Sequence, residues 1–225
     1  MTAVKGPAVS KPTRRDRARA TRLRITKAAY SLFCERGYSG TTMADVADAA
    51  GVAVQTVYFV FHTKSELLSR TYDYAVLGED APMPPEMQSW YAQMAAEANV
   101  TDALRHAVSG VGAILVRATP LDTVVRAGAA SDPDAARIRE LHERRRADGY
   151  RSMLEVLRTK FALRDGVSQE LATQLLLLYI GMDVYRVLVF DFGWSHDDWI
   201  DWTVATVAEQ VFRPASPADA PVVAS

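Results

Sequence analysis

The chain has 225 residues with 26 Lys and Arg against 27 Asp and Glu, so its formal net charge is −1. With 49% hydrophobic and 24% charged residues it has the composition of a globular protein, which excludes extended disorder and collagen-like repeats. The single cysteine, Cys34, excludes a disulfide framework and any metal site made of cysteines alone.

Nothing in the sequence indicates a membrane partner. The longest strongly apolar run, Leu175 to Met182, is too short to span a bilayer. Residues 1–27 carry charges where a signal peptide needs an apolar core. We therefore expect a cytoplasmic protein without membrane contact.

The small net charge conceals an uneven distribution. Residues 1–75 contain 12 basic and 6 acidic residues, a net charge of +6, whereas the remaining 150 residues carry −7. A basic N-terminal third is typical of a segment that meets an anionic partner such as nucleic acid. A solvated basic segment with no partner is the alternative that charge alone leaves open.

The chain begins with a predicted disordered basic arm, residues 1–13, in which Gly and Pro are frequent and large apolar residues are few. From Arg14 to Arg36 the pattern is helical, and Gly37 follows as a stop signal. Five apolar residues with helical spacing form one face of this helix: Ile25, Ala28, Ala29, Leu32 and Phe33.

Two short helices follow, over about residues 42–61. Thr42 and Asp45 form a capping pair at the start of the first, and Gly51 permits a tight turn before the second. The pattern places Val57, Tyr58 and Phe61 on one side of the second helix. Thr63-x-x-Glu66 is a further capping box and predicts another helix. A longer helix followed by two short helices around a glycine turn is a helix-turn-helix.

In a helix-turn-helix the second short helix lies in the major groove of DNA. Its outer side here carries Val54, Gln55, Thr56 and Phe59. Glutamine pairs with adenine or donates to phosphate, and threonine offers a hydroxyl and a methyl group. Lys64, at the start of the next helix, is a candidate phosphate ligand. A helical hairpin without a ligand is the alternative reading of the same pattern.

Residues 20–70 resemble the DNA-binding domain of tetracycline-repressor (TetR) family regulators. The resemblance rests on Gly37-Tyr38, Thr41-Thr42-Met43, Val46-Ala47, Ala50-Gly51-Val52, Val57-Tyr58, Phe61, Lys64 and Leu67. It implies an all-helical homodimer whose C-terminal domain binds a small molecule and releases DNA. It also implies phosphate contacts for Thr42, Tyr58 and Lys64, and base or backbone contacts for Gln55 and Thr56.

The chain departs from the family pattern at two positions. Ala53 stands where a Ser or Thr cap is frequent, and Val60 where Tyr or His is common. We expect Phe59, His62 or the N-terminal arginines to supply the missing contacts. The predicted DNA-binding residues are Arg15, Arg17, Arg19, Arg22, Thr42, Val54, Gln55, Thr56, Tyr58, Phe59, His62 and Lys64.

The acidic remainder predicts further helices separated by breakers. Residues 80–85, which include three prolines, form a break, and residues 90–98 form a short helix or an ordered loop. We expect a helix over 102–117, a second helix that begins at Pro120, and a long helix that begins at Pro133 and ends near Phe161. Its Arg144-Arg145-Arg146 run is interpreted as a solvated, salt-bridged face rather than a binding patch.

The last two predicted helices are strongly apolar. One runs from Ser168 to about Phe192, and the other is capped by Ser195 and Asp198. A helix that is apolar nearly all round must be buried on nearly all sides, which favours a homodimer formed through these two helices. One buried hairpin in a monomer is the alternative. Residues 214–225 read as a disordered tail.

A ligand pocket in the body would be apolar with a few polar groups. The candidates are Trp90, Tyr91, Met94, His106, Arg117, Met153, Tyr179, Met182, Asp183 and Arg186. Core packing would produce the same pattern of Met and aromatic residues. For Asp183 and Arg186 we expect an ion pair, within one chain or across a dimer, and the alternative is a place in the pocket wall.

Enzyme motifs are weak. Ser195-His196-Asp197 has the letters of a catalytic triad, but Ser195 is better used as a helix cap. Gly110-Val111-Gly112 follows no predicted strand, so we expect no dinucleotide site, and the histidine spacing predicts neither a metal site nor a cofactor.

The sequence thus predicts an all-α protein. Its parts are the arm 1–13, a three-helix DNA-binding domain 14–62, a helical ligand-binding and dimerisation domain 63–213, and the tail 214–225. The expected function is a transcriptional repressor that a small-molecule effector releases from a palindromic double-stranded DNA operator. The alternatives are an enzyme or carrier with a vestigial DNA-binding head, and an architectural protein that binds DNA without sequence preference.

Overall fold

The structure is a computed structural model that describes residues 13–78 and 83–214. Within these ranges the regular structure is helical, and β-type pairing is confined to one isolated antiparallel bridge between Leu163 and Phe212. The all-α prediction is confirmed. The chain forms two compact units, Met1–Thr71 and Tyr72–Ser225. Most of the predicted arm, and the predicted tail beyond residue 214, lie outside the described residues.

The first unit contains three helices and most of a fourth: α1 (Arg14–Arg36), α2 (Met43–Ala50), α3 (Val54–Phe61) and α4 (Lys64–Leu77). Helix α1 begins at the predicted residue because Thr13 and Asp16 form a reciprocal capping box. The predicted apolar face of α1 is buried except at Ala28, which is half-buried. The N–H of Gly37 donates to the carbonyl of Phe33 at the end of α1.

Helices α2 and α3 form the helix-turn-helix. Thr42 and Asp45 make the predicted capping box at the start of α2. Gly51 ends α2 with φ 63° and ψ 44°, a left-handed conformation that glycine adopts without steric cost. Met43, Val46, Ala47 and Ala50 are buried on the inner face of α2. The capping box and the glycine turn, both local in sequence, therefore determine where α2 begins and ends.

The second unit continues from the end of α4. It contains a 3₁₀ turn (Pro85–Met87) and then α5 (Ser89–Ala96), α6 (Val100–Ala129), α7 (Pro133–Arg158), α8 (Gln169–Tyr179), α9 (Met182–Tyr185), a π-helical turn (Arg186–Asp191) and α10 (His196–Val211). Helix α7 begins at Pro133 as predicted, with Asp132 as its cap, and Ser195 caps α10 as predicted. Helix α6 packs against α5, α7 and α10, so it is the central helix of this unit.

The predicted break at Pro120 is wrong. Pro120 lies inside the continuous 30-residue helix α6. A proline inside a helix removes one hydrogen bond and costs about 3 kcal/mol. On both sides of Pro120 the helix buries apolar surface, at Ala118 and Leu121 among others. We attribute the continuity of α6 to this packing.

The prediction of one long helix from Ser168 to Phe192 is also wrong. The helix start agrees with the prediction, with Ser168 as the cap of α8, but α8 ends at Tyr179 and the chain is extended at Gly181, with φ −88° and ψ 161°. Ile180 and Met182, on either side of Gly181, are buried. The break thus lets both flanking side chains enter the core, which apolar periodicity could not predict.

Two glycines of α6 allow large rings to approach the helix closely. A Cβ atom at Gly110 would lie 2.2 Å from a ring carbon of Trp90, and one at Gly112 would lie 2.8 Å from the His196 ring. Neither distance is possible for a real side chain. The Gly-x-Gly spacing therefore serves helix packing.

By length and composition, Val100–Ala129 and Gln169–Asp191 are each apolar enough to cross a membrane. The first is α6, whose apolar residues form much of the core of the second unit. The second is the stretch that Gly181 interrupts, and part of its apolar surface is exposed: Leu171, Leu178 and Phe190.

Candidate functional site

Helix α3 presents an exposed face without any charged residue. Gln55 is exposed, Phe59 is 84% exposed, and Val54 and Thr56 are half-buried. Val57 and Phe61 are fully buried on the opposite side and attach the helix to the domain.

The prediction that Tyr58 shares the buried side of α3 is wrong. Tyr58 is 51% exposed, and its neighbour Val57 is fully buried. Successive helical residues differ by about 100° in direction, so Tyr58 points away from Val57. Its exposed position leaves the phenol free for the predicted phosphate contact.

The start of α3 lacks a side-chain cap. Ala53 occupies the N-cap position in an extended conformation, and no side chain hydrogen-bonds there. Replacing a Ser or Thr cap by alanine costs about 0.5–2 kcal/mol. Burial of Val57 and Phe61 stabilises α3 in the absence of this cap.

The four predicted arginines lie on the first half of α1 rather than in the preceding arm. All four are exposed: Arg15, Arg17, Arg19 and Arg22. The guanidinium of Arg22 lies over the ring of Phe61, 5.8 Å from its centroid. This contact places Arg22 beside α3, and Arg15, Arg17 and Arg19 lie on the preceding turns of α1.

Thr42 is held by the cap that it makes. Its hydroxyl donates to Asp45 Oδ2 at 2.6 Å, and its N–H donates to the same oxygen at 2.9 Å. These two hydrogen bonds, together with the charge of Arg36, hold the pKa of Asp45 below its ordinary value. Thr42 remains exposed, so its predicted phosphate contact stays a prediction.

Lys64 has an internal role that the sequence did not predict. Its ammonium donates to the carbonyl of Tyr38 at 3.0 Å and to that of Thr41 at 3.3 Å. It also lies 4.2 Å from the centroid of the Tyr38 ring. An ammonium has three donors, so a phosphate contact would use the remaining one.

His62 connects α3 to α4 in a strained conformation. Its φ of 46° is the one positive value at a non-glycine residue in the described ranges. Its N–H donates to the carbonyl of Tyr58 at 2.9 Å, and its Nδ1 lies 3.3 Å from Glu66 Oε2. The Glu66 carboxylate therefore faces His62. The Thr63 hydroxyl accepts from the Glu66 N–H at 3.0 Å, which caps the start of α4.

The second unit contains a cavity of about 440 Å³ that is open to solvent on one side. Its walls come from the end of α4, the 3₁₀ turn, α5, α6, α7 and Met182. They are mostly apolar or aromatic: Val76, Leu77, Trp90, Tyr91, Val111, Ile114, Leu115 and Met153. Cavities of about 300–1,000 Å³ with such walls are typical small-molecule sites.

One side of the cavity carries a buried polar network. The phenol of Tyr72 donates to Asp122 Oδ1 at 3.1 Å, and Arg126 Nε donates to Asp122 Oδ2 at 2.6 Å. Burial and the Asp122 charge raise the pKa of Tyr72, so the phenol is protonated at neutral pH. Both carboxylate oxygens of Asp122 thus have donors, which explains how this charge is tolerated in the core.

His142 lies beside this network in the cavity wall. It is 8% exposed, and its Nε2 is buried without a hydrogen-bond partner among the described residues. Burial, aided by the charges of Arg145 and Arg146, lowers the pKa of His142 from 6.5 to about 4. The imidazole is therefore neutral at physiological pH.

Four of the ten predicted ligand residues line the cavity: Trp90, Tyr91, Met153 and Met182. The other six lie elsewhere. Met94 is a buried core residue, His106 pairs with Glu97 at 3.2 Å, and Arg117 donates to the carbonyls of Ala75 and Ala113.

The last three of the six are Tyr179, Asp183 and Arg186. Tyr179 packs edge-on against Trp202. The expected Asp183–Arg186 ion pair within the chain is wrong. Asp183 lies 3.2 Å from Arg126, and Arg186 lies 2.5 Å from Asp191 in the π-helical turn.

Sequence reasoning missed the polar residues that α7 contributes to the wall: His142, Arg145, Arg146 and Tyr150. A signal was present, since His142, Arg145, Arg146, Gly149 and Met153 repeat at helical spacing. It was missed because the adjacent arginines were interpreted as one solvated face.

The triad letters do not assemble into a catalytic site. The hydroxyl of Ser195 donates to Asp198 at 2.6 Å as part of the α10 cap. His196 Nδ1 instead lies 2.9 Å from the phenol oxygen of Tyr185.

The N-terminal domain matches a known family. Residues 25–71 match the model of the family described as bacterial regulatory proteins, tetR family. The HTH-type transcriptional regulator TtgR of Pseudomonas putida is 39% identical over 59 residues, which are 26% of this chain. The match spans 28% of the length of that curated relative.

Solved structures share the fold over most of the chain. A TetR-family transcriptional regulator from Mesorhizobium loti is 21% identical with a TM-score of 0.64, covering 90% of this chain and 100% of that one. NalD of Pseudomonas aeruginosa, the secondary repressor of the MexAB-OprM multidrug efflux pump, is 18% identical with a TM-score of 0.67, covering 88% and 100%. Residues 25–71 thus match the DNA-binding domain of the tetR family of bacterial regulatory proteins, and most of the chain shares its fold with these two solved structures.

Proposed function

We propose that this protein is a sequence-specific DNA-binding repressor that leaves its operator when a small molecule occupies the cavity of its second unit. The observation that carries the proposal is the course of α4. This helix begins in the first unit, directly after the helix-turn-helix, and its last turns provide Tyr72, Asp73, Val76 and Leu77 to the cavity wall. A ligand that moves those residues acts on the helix that leads into the DNA-binding domain.

The proposed DNA interface combines base and phosphate contacts. Gln55, Thr56, Phe59 and Val54 would face base edges in the major groove. Arg15, Arg17, Arg19 and Arg22 would neutralise phosphates, which supplies affinity without sequence preference. Thr42, Tyr58, His62 and the remaining donor of Lys64 would complete the backbone contacts.

We propose that the protein acts as a homodimer. Four large apolar side chains of α8 and the π-helical region are exposed: Leu171, Leu178, Phe190 and Phe192. Clusters of exposed apolar side chains often mark protein–protein interfaces. The exposed positions of α10 are largely acidic, at Asp197, Asp198, Asp201 and Glu209, so α8 is the main contact and α10 contributes at Trp202 and Ala205. Two recognition helices about 34 Å apart, or a multiple of that distance, would then read a palindromic site.

The direct test is footprinting of the full chain on DNA upstream of its own gene, repeated with a panel of small molecules. One competitor-resistant footprint that a compound abolishes supports the proposal. Binding without a preferred site would favour an architectural protein. Failure to retard any fragment, together with turnover of a bound compound, would favour the enzyme or carrier.

The role of the α1 arginines is tested by replacing Arg15, Arg17, Arg19 and Arg22 with alanine. We expect weaker binding to every DNA sequence and a flatter salt dependence. The matched control removes four exposed arginines of α7, Arg137, Arg144, Arg151 and Arg158, with the same change in net charge. Equal effects of the two variants would contradict a local phosphate contact.

A DNA-bound regulator works where the DNA is, so we propose a cytoplasmic location. The test is fractionation of cells that express the full chain. Recovery of the protein with washed membranes would instead connect the exposed apolar surface of α8 with lipid.

A further inference from the structure

The three consecutive arginines of α7 have different surroundings. Arg144 lies 3.6 Å from Glu140 on the exposed face, and Arg145 lies 3.2 Å from Asp73. Arg146 is half-buried in the cavity wall, and its guanidinium contacts the sulfur of Met182 at 3.6 Å. Within residues 13–78 and 83–214, Arg146 has no carboxylate within ion-pair distance.

Most carboxylates near the cavity already have partners. Asp122 accepts from Tyr72 and Arg126, and Asp73 pairs with Arg145. Asp148, which also lines the cavity, accepts from Arg151 at 2.6 Å. The remaining lining carboxylate, Glu86, is exposed to solvent in the 3₁₀ turn. Among the described residues, Arg146 is thus the half-buried charge in this wall without a carboxylate at ion-pair distance.

A guanidinium against apolar walls is unfavourable unless an anion or several acceptors compensate it. Thioether sulfur is only a weak acceptor. A bound carboxylate would accept two parallel N–H donors of Arg146, which is the strongest geometry available to this side chain. His142 lies one helical turn before Arg146 and is neutral, so it can donate to an anion without adding charge.

We propose that the ligand of this cavity is an organic acid with an apolar, preferably aromatic, body. Its carboxylate binds the guanidinium of Arg146, and its body lies against Trp90, Tyr91, Ile114 and Leu115. The identification of the ligand as an effector rests on the proposed function; its chemical class rests on the cavity alone. The volume of about 440 Å³ limits the body to a small molecule.

The test measures binding to the full chain without DNA, by isothermal titration calorimetry at pH 7. Two matched series serve as probes: 1-naphthoate with 1-naphthamide and 1-naphthylmethylamine, and 4-phenylbutyrate with its amide and amine. In at least one series we expect the acid to bind at least tenfold more tightly than the amide and the amine. This comparison uses the unmodified protein and does not depend on the folding of a variant.

Variants then locate the site. Arg146→Met should abolish the preference for the acid, and Arg146→Lys should retain part of it because the charge remains. Arg144→Met is the matched control, since this neighbour is exposed and pairs with Glu140, and it should leave acid binding unchanged.

Three results would overturn the inference: no binding of either acid at millimolar concentration, equal or tighter binding of the amides or amines, or equal loss of acid binding in Arg144→Met and Arg146→Met. Because the assay contains no DNA, these results leave the repressor proposal standing. Failure of the footprint, in turn, leaves the ligand class standing.

Discussion

The imidazole of His142 stacks on the phenol ring of Tyr72, with 4.0 Å between the ring centroids and 25° between the ring planes. The stack holds the Tyr72 phenol where it donates to Asp122 at 3.1 Å. It also excludes water from the imidazole, whose pKa falls to about 4. The ring stack with Tyr72 therefore helps to keep the His142 imidazole neutral in the cavity wall.

We expect His142 to make the stability of the second unit depend on pH. The unfolded state takes up a proton near pH 6.5, whereas the folded state resists protonation until about pH 4. Between these values the unfolded state binds more protons, so the free energy of unfolding should fall as the pH falls, by about 3 kcal/mol at most. Below about pH 4 this contribution should stay constant.

The measurement is urea unfolding at several pH values between 7 and 4, followed by tryptophan fluorescence, since all four tryptophans belong to the second unit. His142→Phe keeps an aromatic ring against Tyr72 and removes the titration. A variant whose stability falls with pH as steeply as that of the wild type would show that other groups dominate.

We expect Lys64→Met to loosen the segment before α2. The substitution leaves the carbonyls of Tyr38 and Thr41 without their ammonium donor, at a cost of about 1–3 kcal/mol. Hydrogen exchange of the amides of residues 37–45, measured in the full chain, should become faster.

The control for this experiment is Arg24→Met, at an exposed position of α1. If Lys64 acts mainly on phosphate, the result would be different: exchange would be unchanged, and the slope of log affinity against log salt would fall by about one.

We expect Phe59→Ala to weaken binding to a selected operator without affecting stability, because the ring is 84% exposed. An apolar side chain on a recognition helix reads the methyl group of thymine. Replacing one contacted thymine by uracil should therefore weaken binding about fourfold, since a buried methyl-sized group contributes about 0.8 kcal/mol.

A double-mutant cycle tests this contact. In Phe59→Ala the uracil substitution should have no further effect, whereas in Tyr58→Phe it should cost as much as in the wild type. Additive losses in Phe59→Ala would contradict the contact.

We expect Leu178→Glu to dissociate the proposed dimer. Leu178 is 51% exposed at the centre of the apolar surface of α8, and a pair of buried carboxylates without partners would be strongly unfavourable. Sedimentation equilibrium should show a monomer at concentrations where the wild type is a dimer.

Val116→Glu is the matched control, since Val116 is a similarly exposed apolar residue on α6. Equal dissociation by both substitutions, or a monomeric wild type, would contradict an interface at α8.

Local chemistry allowed much of the fold to be predicted from the sequence. The capping box at Thr42, the side-chain cap at Ser195, the left-handed Gly51 and the helix start at Pro133 depend on residues within about four positions of each other. Such interactions form in the same way in any tertiary context. The helix-turn-helix could therefore be predicted from residues 14–62 alone.

The candidate site was only partly predictable. Trp90, Tyr91, Met153 and Met182 were predicted from residue type, because small-molecule pockets are mostly apolar and aromatic, and all four line the cavity. Asp183 and Arg186 were predicted to form an ion pair because both are charged residues in an apolar segment. In the structure Asp183 pairs with Arg126, and Arg186 pairs with Asp191. The sequence does not show which oppositely charged residue will lie closest, because that depends on how the helices pack.

By itself the sequence determined the helix-turn-helix, the basic character of the first third and the caps that start most helices. Only the tertiary structure decided that α6 continues through Pro120 and that the chain breaks at Gly181. It also decided that Arg146, unlike Arg144 and Arg145, has no carboxylate partner among the described residues. Caps and turns depend on neighbours in the chain. These three features depend on burial and on contacts between segments that are distant in the sequence. The residues next to them in the chain therefore do not determine them.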